Sequence, residues 1–283
     1  MPEKLLIIGQ GFLGDAIFSA ATNLQISVTG THRTQIDVRN VDSIEKIVTK
    51  TNPDIIINCA ALTNVDELES NPDAAYAVNA HGAKNTAIIA HKKKIKLIHI
   101  STDSVFDGEK GFYSEEDVPQ PVNIYGKSKK LGEDLVRETI DNHLIVRTNF
   151  YGHNKDGKFL FDWILQNLRK EQPITAFHDV IFNPLEVRNL ANIIIELMSK
   201  KIFGIIHIAS NEIMNKYEFA ANIANALNLR SDLINKGSVK DAHFIAKRPL
   251  NTSLDNTKAR RLLKTEFVRL QEWLKGEFQS QNI

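Results

Sequence analysis

The stretch LLIIGQGFLG, residues 5–14, places four apolar residues directly before a Gly-x-Gly-x-x-Gly motif. The apolar run predicts a buried strand, and the residues that follow predict a helix. Glycines at this junction permit a tight turn and let the pyrophosphate of a dinucleotide approach the helix N-terminus. A glycine turn that serves only packing is the alternative. In this strand–turn–helix context the motif predicts a dinucleotide site.

Around this motif, short apolar runs alternate with longer segments of helical period, a pattern typical of a parallel sheet wrapped by helices. The apolar runs lie at 5–8, 26–29, 55–58, 97–100 and 144–147. The helical segments lie near 12–23, 42–50, 72–91 and 124–139. This organisation predicts an α/β fold with a Rossmann-type doubly wound parallel sheet, and we assign residues 1–150 to an NADP(H)-binding domain.

After residue 150 the pattern becomes mixed. The predicted helices lie near 158–170, 187–199, 216–228 and 256–279, and the predicted strands at 173–177 and 204–208. We expect residues 151–283 to form mainly a smaller mixed α/β substrate-binding lobe over the carboxyl edge of the sheet, where ligands of such folds sit. Some of these elements are expected to return to the Rossmann domain.

Composition and charge narrow the classes of function. The 283 residues include 35 basic and 34 acidic side chains, so nothing favours a nucleic-acid or anionic-membrane partner. Cys59 is the single cysteine, which excludes an intramolecular disulfide and favours a reducing compartment. Because no run approaches 18 apolar residues and the N-terminal run is too short for a signal segment, we expect a cytoplasmic protein. The nine histidines show no metal-ligand spacing, so no metal is expected.

The residues after the second strand bear on the choice of cofactor. An NAD-binding chain usually places an acid about 20 residues beyond the glycine motif to hold the ribose. This chain has Arg33, whose guanidinium suits a 2′-phosphate, whereas Asp37 comes too late to be that acid. An ordinary surface role for Arg33 stays open. We expect NADPH, with NADH as the alternative.

Tyr125 and Lys129 open a predicted helix and are four residues apart, so they project from the same helical face. A lysine ammonium beside a phenol, with the cationic nicotinamide of an oxidised cofactor nearby, favours the phenolate, which predicts a lowered pKa for Tyr125. Such a tyrosine can exchange a proton with a carbonyl oxygen during hydride transfer. In isolation the spacing also fits a solvent-facing pair.

Ser101, Thr102 and Asp103 follow the apolar run 97–100, so they lie at the same carboxyl edge as the glycine turn. This position predicts that Thr102 hydrogen-bonds the reacting oxygen together with Tyr125. A hydroxyl that only caps the backbone after the strand is the alternative. Asp103 is interpreted as structural.

Several motifs together resemble the dTDP-4-dehydrorhamnose reductases, which are extended short-chain dehydrogenases that reduce nucleotide sugars. The motifs are GQGFLG (9–14), NCAALTNVDELESNPDAAYAVNA (58–80), HISTDSVFDG (99–108), NIYGKSKKLGE (123–133) and RTNFYG (147–152). The likeness is dense over residues 5–152 and continues more thinly to about 263.

The resemblance implies reduction of the 4-keto group of a nucleotide-activated 6-deoxyhexose, with dTDP-4-dehydro-L-rhamnose as the leading substrate. It implies Tyr125 as proton donor, Lys129 as the residue that holds the nicotinamide ribose and tunes Tyr125, and Thr102 as the alkoxide-stabilising group. The expected cofactor residues are Gly9, Gln10, Gly11, Phe12, Leu13, Gly14, Arg33, Asp37, Val38, Ala60, Ala61, Leu62, Asn79, Ser101, Tyr125 and Lys129. The expected substrate residues are Thr63, Asn64, Val65, Phe150 and Arg248.

The chain departs from the family pattern on the substrate side. Ser104 stands where the family usually has tyrosine, the segment 149–152 is shorter than usual, and 178–184 lacks the usual Gln-x-Gly-x-Pro. Two other functions stay open: a non-catalytic NADP-binding subunit like that of methionine adenosyltransferase, and a reductase of a different nucleotide sugar. An epimerase is disfavoured because it must retain NAD. The expected partner is a nucleotide-sugar substrate, and a homodimer is left open.

Overall fold

A computed structural model of the protein describes residues 4–154, 157 and 159–278. The strands are β1 (Lys4–Ile8), β2 (Ser27–Thr31), β3 (Ile55–Asn58), β4 (Lys96–Ile100), β5 (His143–Thr148), β6 (Phe150–Tyr151), β7 (Ile174–Phe177), β8 (Ile181–Phe182), β9 (Leu185–Glu186), β10 (Gly204–Ile208), β11 (Met214–Asn215) and β12 (Ile234–Gly237). The helices are α1 (Phe12–Asn23), α2 (Val41–Thr51), α3 (Val65–Ser70), α4 (Pro72–Ala75), α5 (Gly82–Lys93), α6 (Ile124–Thr139), α7 (Leu160–Arg169), α8 (Val187–Met198), α9 (Lys216–Ala226), α10 (Thr257–Leu262) and α11 (Leu270–Phe278). A π-helical segment, Tyr76–His81, joins α4 to α5.

The central sheet has six parallel strands in the order β2-β1-β3-β4-β5-β10. The strand order reverses between β1 and β3, which opens a crevice beyond their carboxyl ends. Ligands of open α/β sheets bind in such a crevice. The observed sheet confirms the predicted fold class.

Both faces of this sheet are covered, which is why its strands read as continuous apolar runs rather than as alternating ones. Along β1, Leu5 and Ile7 pack with α1 and α8, whereas Leu6 and Ile8 pack with α2 and α5. The strand β10 and the helix α8 therefore belong to the layers of the large sheet although they come late in the chain. The domain boundary at residue 150 stays a prediction.

A second apolar core lies outside the sheet layers and is formed by α7, β7, α9, β12 and α11. Aromatic rings fill much of it. Trp273 meets Tyr151 and Phe161 edge to face, with ring centroids 5.2 and 4.9 Å apart. The short strands β7 and β12 pair in parallel, and β8 pairs with β11.

The predicted helix over 256–279 is wrong as one element, because α10 ends at Leu262 and α11 begins only at Leu270. Residue 279 lies outside the described residues, as does 158 at the start of another predicted helix. Between α10 and α11 the backbone N–H groups bond to side chains elsewhere: Lys264 and Thr265 donate to the Glu196 carboxylate. Tertiary partners thus replace the helical hydrogen bonds that the local pattern predicts.

A buried ion pair joins α6 to the sheet. Arg147 on β5 donates to Glu133 on α6 through Nε (3.0 Å to Oε1) and Nη2 (2.7 Å to Oε2), and both side chains are almost wholly buried. Ser101, directly after β4, donates to the same carboxylate at 2.5 Å. Since Tyr125, Lys129 and Glu133 succeed one another at four-residue intervals, this contact fixes the face of α6 that carries the expected catalytic residues.

We expect Glu133→Ala to lower the free energy of unfolding by about 3–5 kcal/mol, because it leaves the Arg147 guanidinium buried without its counter-charge. Urea denaturation followed by circular dichroism measures the change. Glu138→Ala, on an exposed position of the same helix, is the control and should stay within about 0.5 kcal/mol of the native protein. Equal stability of the two variants would contradict the role given to the ion pair.

Candidate active site

The glycine turn between β1 and α1 has one face against the protein and one open face. Gly9 has φ +91°, and a Cβ there would lie 2.5 Å from the backbone nitrogen of Ala60, so packing and conformation both require glycine. Gly11 is different, because a Cβ at this position would meet no protein atom within 4 Å. Gly11 is also the N-cap of α1 and provides no side-chain cap for the helix N–H groups. The turn can therefore receive an anionic group closely over Gly11.

The residues expected at the adenosine end of a cofactor lie past β2. Arg33 is exposed in the loop after this strand. Asp37 is held by Arg39 in a two-point ion pair with contacts of 2.9 and 2.8 Å, and this guanidinium lowers the pKa of Asp37. Val38 is buried in the sheet core. Arg33 and Asp37 thus follow β2 at the edge of the sheet, and contact of these two residues and Val38 with a cofactor stays a prediction.

The loop after β3, with Ala60, Ala61 and Leu62, is held in place by Asn79. The Asn79 amide accepts from the backbone nitrogen of Leu62 at 2.8 Å and donates to its carbonyl at 3.0 Å. It also donates to Ser128 Oγ on α6 at 3.0 Å. Asn79 therefore holds this loop in place through its side-chain amide. The Ser101 hydroxyl also has a partner within the protein, the Glu133 carboxylate. Both were expected to contact the cofactor, and that contact stays a prediction.

Tyr125 and Lys129 are not a solvent-facing pair. The Lys129 side chain is only 2 % exposed, and its Nζ donates to the Ile100 carbonyl at 2.6 Å and lies 3.5 Å from His99 Nε2. Burial lowers the pKa of Lys129 to about 8, and the Glu133 carboxylate opposes this shift. His99 is fully buried, and burial together with Lys129 lowers its pKa well below its usual value, so the ring is neutral.

The predicted lowering of the Tyr125 pKa is wrong for the protein alone. Burial raises the pKa of Tyr125 to about 12, a hydrogen bond with Thr102 opposes the rise, and the charge of Asp103 adds to it. The Lys129 ammonium, hydrogen-bonded to the Ile100 carbonyl, does not offset the effect of burial on the Tyr125 pKa. Tyr125 is therefore a protonated phenol near neutral pH, which is the form that can give a proton to a carbonyl oxygen.

Asp103 is the centre of a hydrogen-bond network that joins distant parts of the chain. Its Oδ1 accepts from Thr102 Oγ1 (3.1 Å) and Ser104 Oγ (3.2 Å), and its Oδ2 accepts from Asn149 Nδ2 (2.7 Å) and Thr252 Oγ1 (2.6 Å). The carboxylate is buried and holds these loops together. This geometry agrees with the structural interpretation of Asp103.

A cavity of about 510 Å³ opens beside this network, between the sheet edge and the second core. Aromatic and aliphatic side chains form most of its wall, among them Trp163, Phe177, Phe182 and Phe244. Asp103, Ser104, Asn149 and Thr252 form a polar floor next to Thr102, and Lys216 and Arg248 bring two basic groups. Sequence reasoning missed Lys216 because a lysine at the start of an amphipathic helix reads as a surface residue.

Of the residues expected to border substrate, Arg248 lines this cavity. Its Nη2 pairs with Asp66 Oδ2 at 2.8 Å, which brings the cavity wall to the start of α3, where Thr63, Asn64 and Val65 lie. Those three residues do not line the cavity itself. Phe150 does not line the cavity either. Its ring lies 6.1 Å from that of Phe12 in the glycine turn.

A doubly wound sheet with an open glycine turn, next to a buried Tyr-x-x-x-Lys pair, defines the class of NAD(P)H-dependent oxidoreductases of the short-chain dehydrogenase type. The RmlD substrate binding domain family model matches residues 3–281, and the chain belongs to this family. The predicted family resemblance and the predicted enzyme class are confirmed.

Individual proteins agree with this assignment. The chain is 32% identical over 274 residues to the dTDP-4-dehydrorhamnose reductase of Aggregatibacter actinomycetemcomitans, with 90% of this chain and 91% of that one covered. It is 31% identical over 284 residues to methionine adenosyltransferase 2 subunit beta of Rattus norvegicus, with 90% and 81% covered. The crystal structure of dTDP-4-dehydrorhamnose reductase from Bacillus anthracis in complex with NADP superposes with a TM-score of 0.93 at 29% identity, covering 99% and 100%.

We expect Asp103→Asn to lower the free energy of unfolding by about 1–3 kcal/mol, since an amide nitrogen would replace an acceptor that faces donor groups. It should also reduce turnover, because the loop that carries Thr102 loses its anchor. Thermal unfolding and steady-state kinetics measure the two effects. Asp141→Asn changes an exposed carboxylate that lies outside the cavity and serves as control. Native stability and turnover in Asp103→Asn would contradict this role.

Proposed function

We propose that this protein uses NADPH to reduce the 4-keto group of a nucleotide-activated 6-deoxyhexose, with dTDP-4-dehydro-L-rhamnose as the leading substrate. The observation that carries the proposal is the buried Lys129, hydrogen-bonded to Ile100 one helical turn from Tyr125, at the strand end that leads into the polar floor of the cavity. The reductase of Aggregatibacter supports this substrate, and the NADP complex from Bacillus anthracis supports this cofactor.

The residues of the glycine turn fit a dinucleotide. The space over Gly11 is the cradle that a pyrophosphate needs, and the uncapped N-terminus of α1 favours negative charge there. Arg33 supports NADPH over NADH, because a guanidinium can meet a 2′-phosphate with two parallel hydrogen bonds. Bound in this crevice, NADPH would supply a hydride to the carbonyl carbon.

The side chains then handle the proton and the developing negative charge. Tyr125, protonated near neutral pH, donates its proton to the carbonyl oxygen. The Thr102 hydroxyl, bonded to Asp103 Oδ1 at 3.1 Å, can turn toward the alkoxide as charge develops. Lys129 keeps N–H groups beyond its bond to Ile100 with which to hold a ribose hydroxyl.

The relative from Rattus norvegicus supports a second candidate, a cofactor-binding regulatory subunit without turnover. The intact Thr102, Tyr125 and Lys129 set favours the enzyme. A cytoplasmic location and a homodimer stay predictions. No helix within the described residues is long and apolar enough to cross a bilayer.

The test of the proposed function is oxidation of NADPH by the native protein with a panel of 4-keto nucleotide sugars, repeated with NADH. We expect turnover with at least one 6-deoxy-4-keto sugar and a lower Michaelis constant for NADPH than for NADH. A protein that binds NADPH and reduces no member of the panel would favour the regulatory subunit.

We expect Tyr125→Phe to lower kcat by about 10²–10⁴, since general acid catalysis is lost while the ring remains. Affinity for NADPH, measured by fluorescence titration, should stay near that of the native protein. Tyr217→Phe, a tyrosine of the second core, controls for the loss of a phenol elsewhere. Native turnover in Tyr125→Phe would end this mechanism.

We expect Gly11→Ala to fold and to weaken NADPH binding at least about tenfold, equivalent to 1.4 kcal/mol, because its methyl group occupies the space reserved for the pyrophosphate. Gly276→Ala is a matched control: a Cβ there also meets no atom within 4 Å, but Gly276 lies in α11 far along the chain. Calorimetric titration with NADPH compares the two. Equal affinities would show that the cofactor does not approach Gly11.

A further inference from the structure

Lys216 occupies a position that costs stability. It is the first residue of α9, where the helix dipole disfavours a positive charge, and its Nζ lies 3.3 Å from the ring centroid of Phe182 in the cavity wall. Burial lowers the pKa of Lys216 to about 7, and the charge of Asp103 opposes this shift. Within the described residues, the Lys216 ammonium has no hydrogen bond or ion pair. Unfavourable charge placement of this kind marks functional positions.

The other ionisable groups that line the cavity already have partners. Asp103 accepts its four hydrogen bonds within the network that anchors Thr102. Arg248 pairs with Asp66 and donates to the Ala246 carbonyl at 3.2 Å, while its guanidinium lies 4.4 Å from the Phe244 ring. Within the described residues, Lys216 is therefore the basic group of the cavity wall that has no carboxylate in contact, and its three N–H donors are left for a ligand.

We propose that Lys216 binds the diphosphate of the nucleotide sugar in this cavity. The proposal rests on the proposed function, because that function makes the substrate a nucleotide sugar. The Phe182 ring and the other apolar side chains of the cavity wall lower the local dielectric beside the ammonium, so an ionic hydrogen bond to a phosphate oxygen is stronger there than at the surface. Arg248 acts differently: its pair with Asp66 holds the loop of Thr63 and Asn64 against the cavity.

The first experiment compares the native protein with Lys216→Gln and Lys216→Arg by calorimetric titration in the presence of NADPH. The ligands are dTDP-glucose and UDP-glucose, whose hexose has no keto group to reduce, and the nucleosides thymidine and uridine. Loss of one partner of a desolvated charge pair typically costs about 2 kcal/mol or more, so we expect Lys216→Gln to weaken binding of the tighter nucleotide sugar roughly thirtyfold or more. Nucleoside binding should not change, and Lys216→Arg should retain most of the affinity.

The pH dependence gives a readout that a merely structural lysine would not produce. The diphosphate binds the protonated amine, so native affinity should fall as pH rises through the Lys216 pKa of about 7. Between about pH 7 and about pH 9 the fall can reach about fiftyfold, since half of the amine is protonated at its pKa and about one part in a hundred two pH units above it. The other ionisable groups of the cavity wall are Asp103, held by its four donors, and Arg248, paired with Asp66. Lys216→Arg, with its fixed charge, should show a flat profile.

The outcomes separate this inference from the proposed function. Equal losses for nucleotide sugars and nucleosides in Lys216→Gln, or unchanged affinity for both nucleotide sugars, would overturn the role of Lys216 even if the protein reduces 4-keto sugars. A native protein that binds neither nucleotide sugar would overturn it too. Lys216-dependent binding without any NADPH oxidation would instead refute the reductase and leave the diphosphate site standing. Thermal unfolding of Lys216→Gln checks that the variant folds. We expect no loss of stability, because the substitution removes a cation that its apolar surroundings disfavour.

Discussion

The position of the site depends on the buried contact of Glu133 with Arg147 and Ser101. Three elements meet at one carboxylate: α6, the strand β5 and the end of β4. Because this ion pair is desolvated, its two members tolerate little displacement, and a break would strand a charge in the core. This contact holds the face of α6 that carries Tyr125 and Lys129 against the end of β4. Ile100 and Thr102, the residues next to the expected reacting groups, lie there.

A second carboxylate, that of Asp103, holds together the segments that form the floor of the cavity. Its donors come from the β4 loop, from the segment after β5 and from the distant Thr252. Proton transfer and substrate binding thus share one rigid wall, with Thr102 on the side of Tyr125 and Ser104 on the side of the cavity. The active site therefore lies between two buried carboxylates, Glu133 and Asp103, whose oxygens are held by hydrogen bonds from neighbouring side chains.

The departures from the family pattern lie around this cavity. Ser104, the short segment at 149–152 and the stretch 178–184 contribute to its floor and wall, and Lys216 adds a cation that the sequence analysis did not single out. The glycine turn and the Tyr125–Lys129 pair, in contrast, follow the pattern closely. Substrate choice is therefore the property in which this chain can differ most from the reductases that it resembles.

The sequence by itself determined the sheet, the glycine turn and the Tyr125, Lys129 and Thr102 set, since apolar runs, turn glycines and four-residue spacing are local signals. Only the tertiary structure decided that β10 joins the central sheet, that α8 packs against it and that α10 and α11 are separate. It further decided that Asn79 bonds to the backbone of Leu62 and Ser101 to Glu133. It also decided the raised pKa of Tyr125 and the exposure of the Lys216 charge to the cavity. These properties depend on burial and on partners at least 17 residues away, and neither is written in the local pattern of the chain.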